Sequence, residues 1–227
     1  MSTDPLSDEK IVESWRTNAT PWTEAVRERT IESRNLVTNA AIVDAVLSRS
    51  PRTVLDIGCG EGWLVRALAE HGVVGTGVDV VPELVDQANR AGGGEFHVAS
   101  YETIAAGDFR LSADVAVANF SLIGKESVDR LVRGVPALLR PRGSFVVQTL
   151  HPVTACGEHP YENGWRDGSW AGFSNAFSDP APWYFRTMDG WLDLFAEAGM
   201  GMVEVREPVD PRTGKPSSVI FISEASC

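Results

Sequence analysis

Apolar residues recur at helical spacing through the first 50 positions. Ile11, Val12 and Trp15 mark a short helix that Ser7 can cap, and Trp22, Ala25 and Val26 share a face of a second. Thr20-Pro21 reads as a cap followed by proline at the first helical position of that second helix. Leu36, Ala40, Val43 and Leu47, spaced by three and four, predict a third helix from about Ser33 to Leu47. Beyond Ser50-Pro51 the pattern changes. Short continuous apolar runs at 54–57, 73–79, 95–99, 113–118 and 144–150 predict strands. Helical stretches fall between them. One starts at Leu64, a second opens at Pro82 and ends at Gly92-Gly93-Gly94, and a third carries Val128, Leu131, Val132, Val135, Leu138 and Leu139. Pro136 is expected to kink the last turns of that third stretch, and Leu138 to Gly143 reads as a helix-ending turn. Strand and helix in alternation predict an α/β chain with a doubly wound sheet.

Residues 151–186 break the pattern. They have no clean periodicity, yet they hold Trp165, Trp170 and Trp183, together with Tyr161, Phe173, Phe177, Tyr184 and Phe185. A loop this long in a compact chain is usually functional, and its aromatics must pack on something. It leaves from the tip of the fifth strand and reads as a lid or pocket wall; a packed excursion or a dimer contact is the alternative. A helix over 187–199 follows, with Trp191, Leu192, Phe195 and Ala198 on one face and Gly199 as its stop. Two runs, 201–205 and 218–222, have no helix between them, so they pair antiparallel or sit apart.

The chemistry concentrates where the first strand ends. Val54-Leu55-Asp56-Ile57 gives way to glycines at 58, 60 and 62, with Cys59 between the first two, and a helix starts at once. Glycine is needed where the backbone takes positive φ or must approach a ligand closely. The second strand ends in Asp79, followed by Val80, where an acid can take both hydroxyls of a ribose. Glycine turn plus Asp79 therefore reads as a nucleoside site.

Asp56-Ile57-Gly58-Cys59-Gly60-Glu61-Gly62 followed by Gly77-Val78-Asp79 resembles the class I S-adenosylmethionine-dependent methyltransferases of the small-molecule branch. The likeness covers roughly residues 34–150 by motif, and Leu138 to Gly143 is similar to the family's "LLRPGG" segment. It implies a Rossmann-like, doubly wound, seven-stranded sheet. The sheet would be mostly parallel, with a C-terminal antiparallel hairpin and helices on both faces. It implies S-adenosylmethionine as cofactor and S-adenosylhomocysteine as product. The cofactor-binding positions it implies are Arg34, Asp56, Gly58, Cys59, Gly60, Asp79, Val80, Ser100, Tyr101, Asn119 and Phe120. Arg34 would reach the methionine carboxylate, although an arginine at that place also suits a solvated helix face. Ser100 would meet the adenine amino group, where the family more often has Asp, and Tyr101 would stack on the base. Asn119 and Phe120, ending the fourth strand, would lie beside the adenosine or the sulfonium; a polar turn and a core aromatic is the alternative. His97 is read as a structural residue of the third strand.

Composition narrows the remaining choices. The net charge of −11 and the lack of a Lys/Arg cluster disfavour a nucleic-acid substrate. No apolar run approaches a membrane span, and Met1 to Lys10 lacks the features of a signal peptide. Three widely spaced cysteines, Cys59, Cys156 and Cys227, suggest no disulfide framework and fit a reducing cytoplasm. No metal is expected, because no His, Asp or Glu cluster has ligand spacing. The chain is expected to be a single domain over 1–227, with an N-terminal helical cap at about 1–50 and the lid at about 151–186, acting as a monomer or homodimer. It would transfer a methyl group to an O or N atom of a small, planar or aromatic metabolite. The candidate substrate residues are Trp22, His151, Trp165, Trp170 and Tyr184. His151, at the mouth of the crevice, is the candidate general base, with His159 and Tyr184 as weaker candidates; a hydrogen-bonded loop histidine is the alternative for His151. Three other functions remain open: an NAD-dependent oxidoreductase, which wants a longer glycine spacing; a methyltransferase for RNA or protein; and a non-catalytic S-adenosylmethionine-binding module.

Overall fold

The computed structural model describes residues 4–225, so Cys227 lies outside the described residues. Seven strands form one sheet: β1 (Thr53–Ile57), β2 (Val74–Asp79), β3 (Glu95–Val98), β4 (Ala113–Asn119), β5 (Leu139–Thr149), β8 (Met200–Arg206) and β9 (Val219–Ala225). Their order is β3-β2-β1-β4-β5-β9-β8. The first five run parallel, and β9 pairs antiparallel with both β5 and β8. This is the expected Rossmann-like doubly wound sheet with its C-terminal antiparallel pair.

Strand alternation sends successive side chains to opposite faces. On one face Val54, Val115, Val117, Val146, Ile220 and Ile222 pack against α3 (Asn39–Leu47) and α4 (Trp63–Ala69). On the other, Leu55, Ile57, Ala116, Phe145, Val147 and Phe221 pack against α7 (Glu126–Gly134) and α9 (Met188–Glu197). Two further helices complete the parallel part, α5 (Pro82–Ala91) and the short α6 (Tyr101–Ala105).

Local expectations met several corrections. Ser7 caps α1 (Asp8–Thr17) as read from the sequence. Thr20 caps nothing: α2 (Ala19–Arg27) starts earlier, at the Asn18 joint. Pro21 sits in its first turn, where a missing N–H removes no intrahelical bond. The third helix begins as a π-helical turn, Arg34–Thr38. Its inward residues are Val37, Ile42, Ala45 and Val46, while Leu36 is exposed. The segment is apolar on nearly every side, so spacing alone could not choose the face. Strand β5 begins at Leu139 rather than Ser144. Its register against β4 steps from Ala113↔Leu139 to Val115↔Ser144, so residues 140–143 bulge out. Pro141 has no N–H for the ladder, and Arg142 holds φ +67 there. Val135–Leu138 tightens to a 3-10 turn at Pro136, the expected break.

The segment after β5 is not structureless. It forms α8 (Pro152–Ala155) and a two-stranded hairpin, β6 (Gly164–Arg166) with β7 (Trp183–Phe185). Helix α9 buries Leu194 along with Trp191 and Phe195.

Candidate functional site

The tips of β1, β2 and β4 meet at the glycine turn. The N–H groups of Gly58 and Cys59 both donate to the Val78 carbonyl, at 2.8 and 3.0 Å. Gly58, Gly60 and Gly62 hold φ of +77, +56 and +82. A Cβ on Gly58 would lie 2.3 Å from Ser121 Cβ, so the residue is needed for space as well as conformation. The Ser121 hydroxyl donates to the Ile57 carbonyl at 2.7 Å, and the Tyr101 hydroxyl to the Ser121 carbonyl at 3.0 Å. Tyr101 thus stands beneath the turn, and burial pushes its hydroxyl pKa up. The Asp79 carboxylate takes the N–H of Gly60 and of Val81, each at 2.9 Å. Burial pushes its pKa up against those two hydrogen bonds.

Beside the turn lie a buried carboxyl, Asp56, and a buried guanidinium, Arg34. Asp56 is 2% exposed, and its Oδ1 has no hydrogen-bond partner among the described residues. Burial, then the charge of Asp79, pushes its pKa up to about 8; Arg34 pulls the other way. Arg34 is buried, not solvated. Its Nε donates to Asn39 Oδ1 at 3.1 Å, while Nη2 has no partner. Its guanidinium lies 4.8 Å from the Trp63 ring centre and 5.5 Å from that of Trp22. Burial pulls its pKa down to about 10. Glu61, fully buried, is paired with Arg66 at 2.6 Å and with Arg27 of α2 at 3.1 Å. Burial holds the Cys59 thiol neutral by pushing its pKa well up.

Ser100 serves as the N-cap of α6, accepting the Thr103 N–H at 3.2 Å. Asn119 and Phe120 end β4. The Asn119 side-chain carbonyl is buried without a partner, and Phe120 holds φ +54 while its N–H donates to the Gln148 carbonyl at 2.8 Å. Among the described residues, no group of three or more His, Cys, Asp or Glu side chains is gathered for a metal.

The aromatic residues of 151–186 fall into two groups. Trp170 packs on Trp15 at 5.9 Å, and Trp15 on Trp22 at 5.0 Å. Trp22 reaches the glycine turn: a Cβ on Gly60 would lie 3.5 Å from its Nε1. Trp165 and Tyr184 face each other across the β6–β7 hairpin at 5.6 Å, and the Tyr184 N–H donates to the Ile123 carbonyl at 2.7 Å. His151 is buried just after β5. Its Nε2 meets Glu207 Oε1 at 2.7 Å, and its Nδ1 has no partner. His159 is exposed. His97 lies within β3, as read, with its ring 5.9 Å from Phe109.

Sequence reasoning missed Trp15, Trp63, Thr38 and Gln148. Gln148 left one signal, a polar side chain directly after the apolar run Phe145-Val146-Val147 in β5. The other three carried none.

A doubly wound sheet with a glycine turn at its first crossover and a carboxylate ending its second strand defines a nucleoside-binding α/β protein. The chain matches a family described as a methyltransferase domain over residues 31–205. It belongs to that family, and its fold is that of the class I S-adenosylmethionine-dependent methyltransferases. It is similar to the ubiquinone biosynthesis O-methyltransferase of Coxiella burnetii, 44% identical over 46 residues, which is 20% of either chain. It is also similar to the enzyme of that name from Xanthomonas oryzae pv. oryzae, 31% identical over 118 residues, 50% of this chain and 49% of that one. The matched segments therefore span a fifth and about half of those relatives. Its fold is that of Burkholderia thailandensis 1,6-didemethyltoxoflavin-N1-methyltransferase, solved with 1,6-didemethyltoxoflavin and S-adenosylhomocysteine bound. That match has a TM-score of 0.64 at 20% identity and covers 100% of this chain and 94% of the other.

Proposed function

We propose that the chain binds S-adenosylmethionine at the glycine turn and methylates an O or N atom of a small, flat acceptor. The observation that carries the cofactor placement is the pair of buried, unpartnered atoms beside the turn, Asp56 Oδ1 and Arg34 Nη2. An acceptor and a donor of opposite charge, both desolvated, fit the ammonium and carboxylate of an amino acid. Asp79 takes the ribose hydroxyls, with Gly58, Cys59, Gly60 and Val80 as the backbone cradle. Ser100 and Tyr101 flank the base, and Asn119 and Phe120 stand where cofactor and acceptor meet. When bound, the cofactor supplies a methyl group on a positively charged sulfur, and S-adenosylhomocysteine leaves. The residues' main task is then to align donor and acceptor and exclude water.

The acceptor class rests on the aromatic walls. We assign Trp22, Trp165, Trp170 and Tyr184 to contact a flat molecule, with residues 1–50 as cap and 151–186 as lid. The names of the relatives agree in kind, one an O-methyltransferase and one bound to a flat heterocycle. An acidic chain of net charge −11 suits such an acceptor better than RNA. We assign His151 to accept a proton from the acceptor. With Nε2–H donating to Glu207, Nδ1 keeps its lone pair free. His151→Ala is expected to lower turnover by about 100-fold or more with cofactor affinity unchanged; equal turnover across the full pH range removes the assignment.

Calorimetric titration with S-adenosylmethionine, S-adenosylhomocysteine and NAD tests the whole reading. Micromolar binding of both sulfur nucleosides, lost in Asp79→Ala, is expected. Binding of NAD alone, or of none of the three, overturns it. Binding without turnover on any flat phenol or heterocycle marks a non-catalytic module.

A further inference from the structure

The C-terminal edge of the sheet holds more unsatisfied polar atoms than the cofactor's amino acid can use. Alternation along β1, β4 and β5 puts Asp56, Asn119 and Gln148 on the face that carries Val54, Val117 and Val146, the face α3 covers. Asn119 and Gln148 are direct neighbours across the β4–β5 ladder. Asp56 Oδ1, Asn119 Oδ1 and Gln148 Oε1 are all buried acceptors without a donor. The π-helical turn before α3 adds two more lone groups, Arg34 Nη2 and Thr38 Oγ1. Turns of this kind are uncommon and are often found at functional sites.

An unsatisfied buried polar atom costs stability, so such a row needs partners. Asp56 and Arg34 are matched by the ammonium and carboxylate proposed above. Three groups remain: Asn119, Gln148 and Thr38. Gln148 is the most constrained of them. It is 1% exposed, and its Nε2 donates to Ser218 Oγ at 2.9 Å. That bond takes up one amide hydrogen, while the carbonyl has nothing to accept.

We propose that Gln148, held by Ser218 and flanked by Asn119, is a specificity residue that accepts a hydrogen bond from an O–H or N–H of the methyl acceptor. The proposal deepens the assignment of function and rests on it, since the acceptor must enter beside the bound cofactor. It defines the acceptor as a flat molecule bearing a hydrogen-bond donor, and it disfavours fully alkylated or purely apolar ring systems. A site built to pair a donor rejects an analogue that lacks it, because its own buried group is then stranded.

The test uses two matched flat probes, 2,6-dihydroxynaphthalene and 6-methoxy-2-naphthol, which keep one hydroxyl for His151 and differ only in the second, titrated into the full chain saturated with S-adenosylhomocysteine. The expected result is a preference for 2,6-dihydroxynaphthalene of about tenfold or more, the scale of one buried hydrogen bond. In Gln148→Met, nearly the same volume without the carbonyl, the preference should shrink to under about threefold. S-adenosylhomocysteine affinity in that variant should change less than about twofold, which also shows that the variant folds. No preference in the unaltered protein overturns the proposal and leaves water as the partner of these groups. A preference that survives Gln148→Met overturns it too, and points to another acceptor of the hydrogen bond. Failure of S-adenosylhomocysteine itself to bind is a separate outcome that removes the cofactor reading on which the proposal stands.

Discussion

Asp56 shows how one buried carboxyl links stability to binding. Its folded pKa of about 8 exceeds the ordinary 3.8. The folded chain therefore holds this proton more tightly than the unfolded chain does. Stability from this group is fully present below the ordinary value and falls as pH rises toward 8. A cationic ammonium seated on Asp56 reverses that penalty by favouring the carboxylate. Asp56→Asn is thus expected to stabilise the cofactor-free protein at pH 8 by about 1 kcal/mol or more, since a tenfold change in proton affinity is worth about 1.4 kcal/mol. At pH 4 the variant should differ little from the parent, and at every pH it should fail to bind S-adenosylhomocysteine. Urea unfolding at the two pH values checks this; equal stabilities at pH 8 would show that Asp56 is charged without cost. The motif made Asp56 visible in the sequence. The burial of Arg34 was not visible there, because it depends on Trp22, Trp63 and the π-helical turn arriving together.

At the scale of elements, the glycine turn is the part most dependent on particular residues. Gly58 and Gly72 both hold positive φ, +77 and +81, but only Gly58 is crowded. Gly72→Ala meets nothing within 4 Å, so it should cost only the backbone strain, about 1 kcal/mol. Gly58→Ala adds a collision with Ser121 and should cost about 3 kcal/mol or more. Trimming the obstacle in Gly58→Ala/Ser121→Gly should recover part of it. Thermal unfolding of the three variants reads the difference; equal losses for Gly58→Ala and Gly72→Ala would mean that crowding at the turn is relieved at no cost. The turn, the strands of the seven-stranded sheet and α5 could be read directly, since glycine spacing, short apolar runs and Pro82 are local signals, whereas β6 and β7 could not. The face of α3 could not, because an all-round apolar segment gives no phase. The start of β5 could not either, because a bulge with Pro141 reads as a turn.

At the scale of the molecule, the N-terminal helices and residues 170–179 are linked through side chains. Asn18 holds Ser178 twice, donating to its carbonyl at 2.7 Å and accepting its N–H at 3.0 Å. Lys10 pairs with Asp179 at 2.8 Å, and Trp170 packs on Trp15. Asp8 in turn accepts the N–H groups of Lys125 and Ser127, at 2.7 and 2.6 Å, tying α1 to the start of α7. S-adenosylhomocysteine is therefore expected to slow amide exchange in α1 and in residues 170–179 together. Asn18→Ala should uncouple the two, leaving 170–179 exchanging several-fold faster while α1 stays protected. Exchange followed by mass spectrometry decides it; protection of either segment alone in the unaltered chain would show two independent covers.

By itself, the sequence determined the alternation of strands and helices, the glycine turn and Asp79, while the pairing of the last two strands was settled by the structure. Each of the first three is written in neighbouring residues or in a short period, and such signals need no knowledge of what lies across the fold. The tertiary structure alone decided which polar side chains are buried. Arg34, Thr38, Asn119 and Gln148 look like ordinary surface or strand residues along the chain. They become desolvated, partly unsatisfied groups only when the parallel register aligns strand ends and α3 closes over the sheet. Burial is a property of what surrounds a residue, and contacts between distant parts of the chain, such as Gln148 with Ser218 or Asn18 with Ser178, leave no local trace.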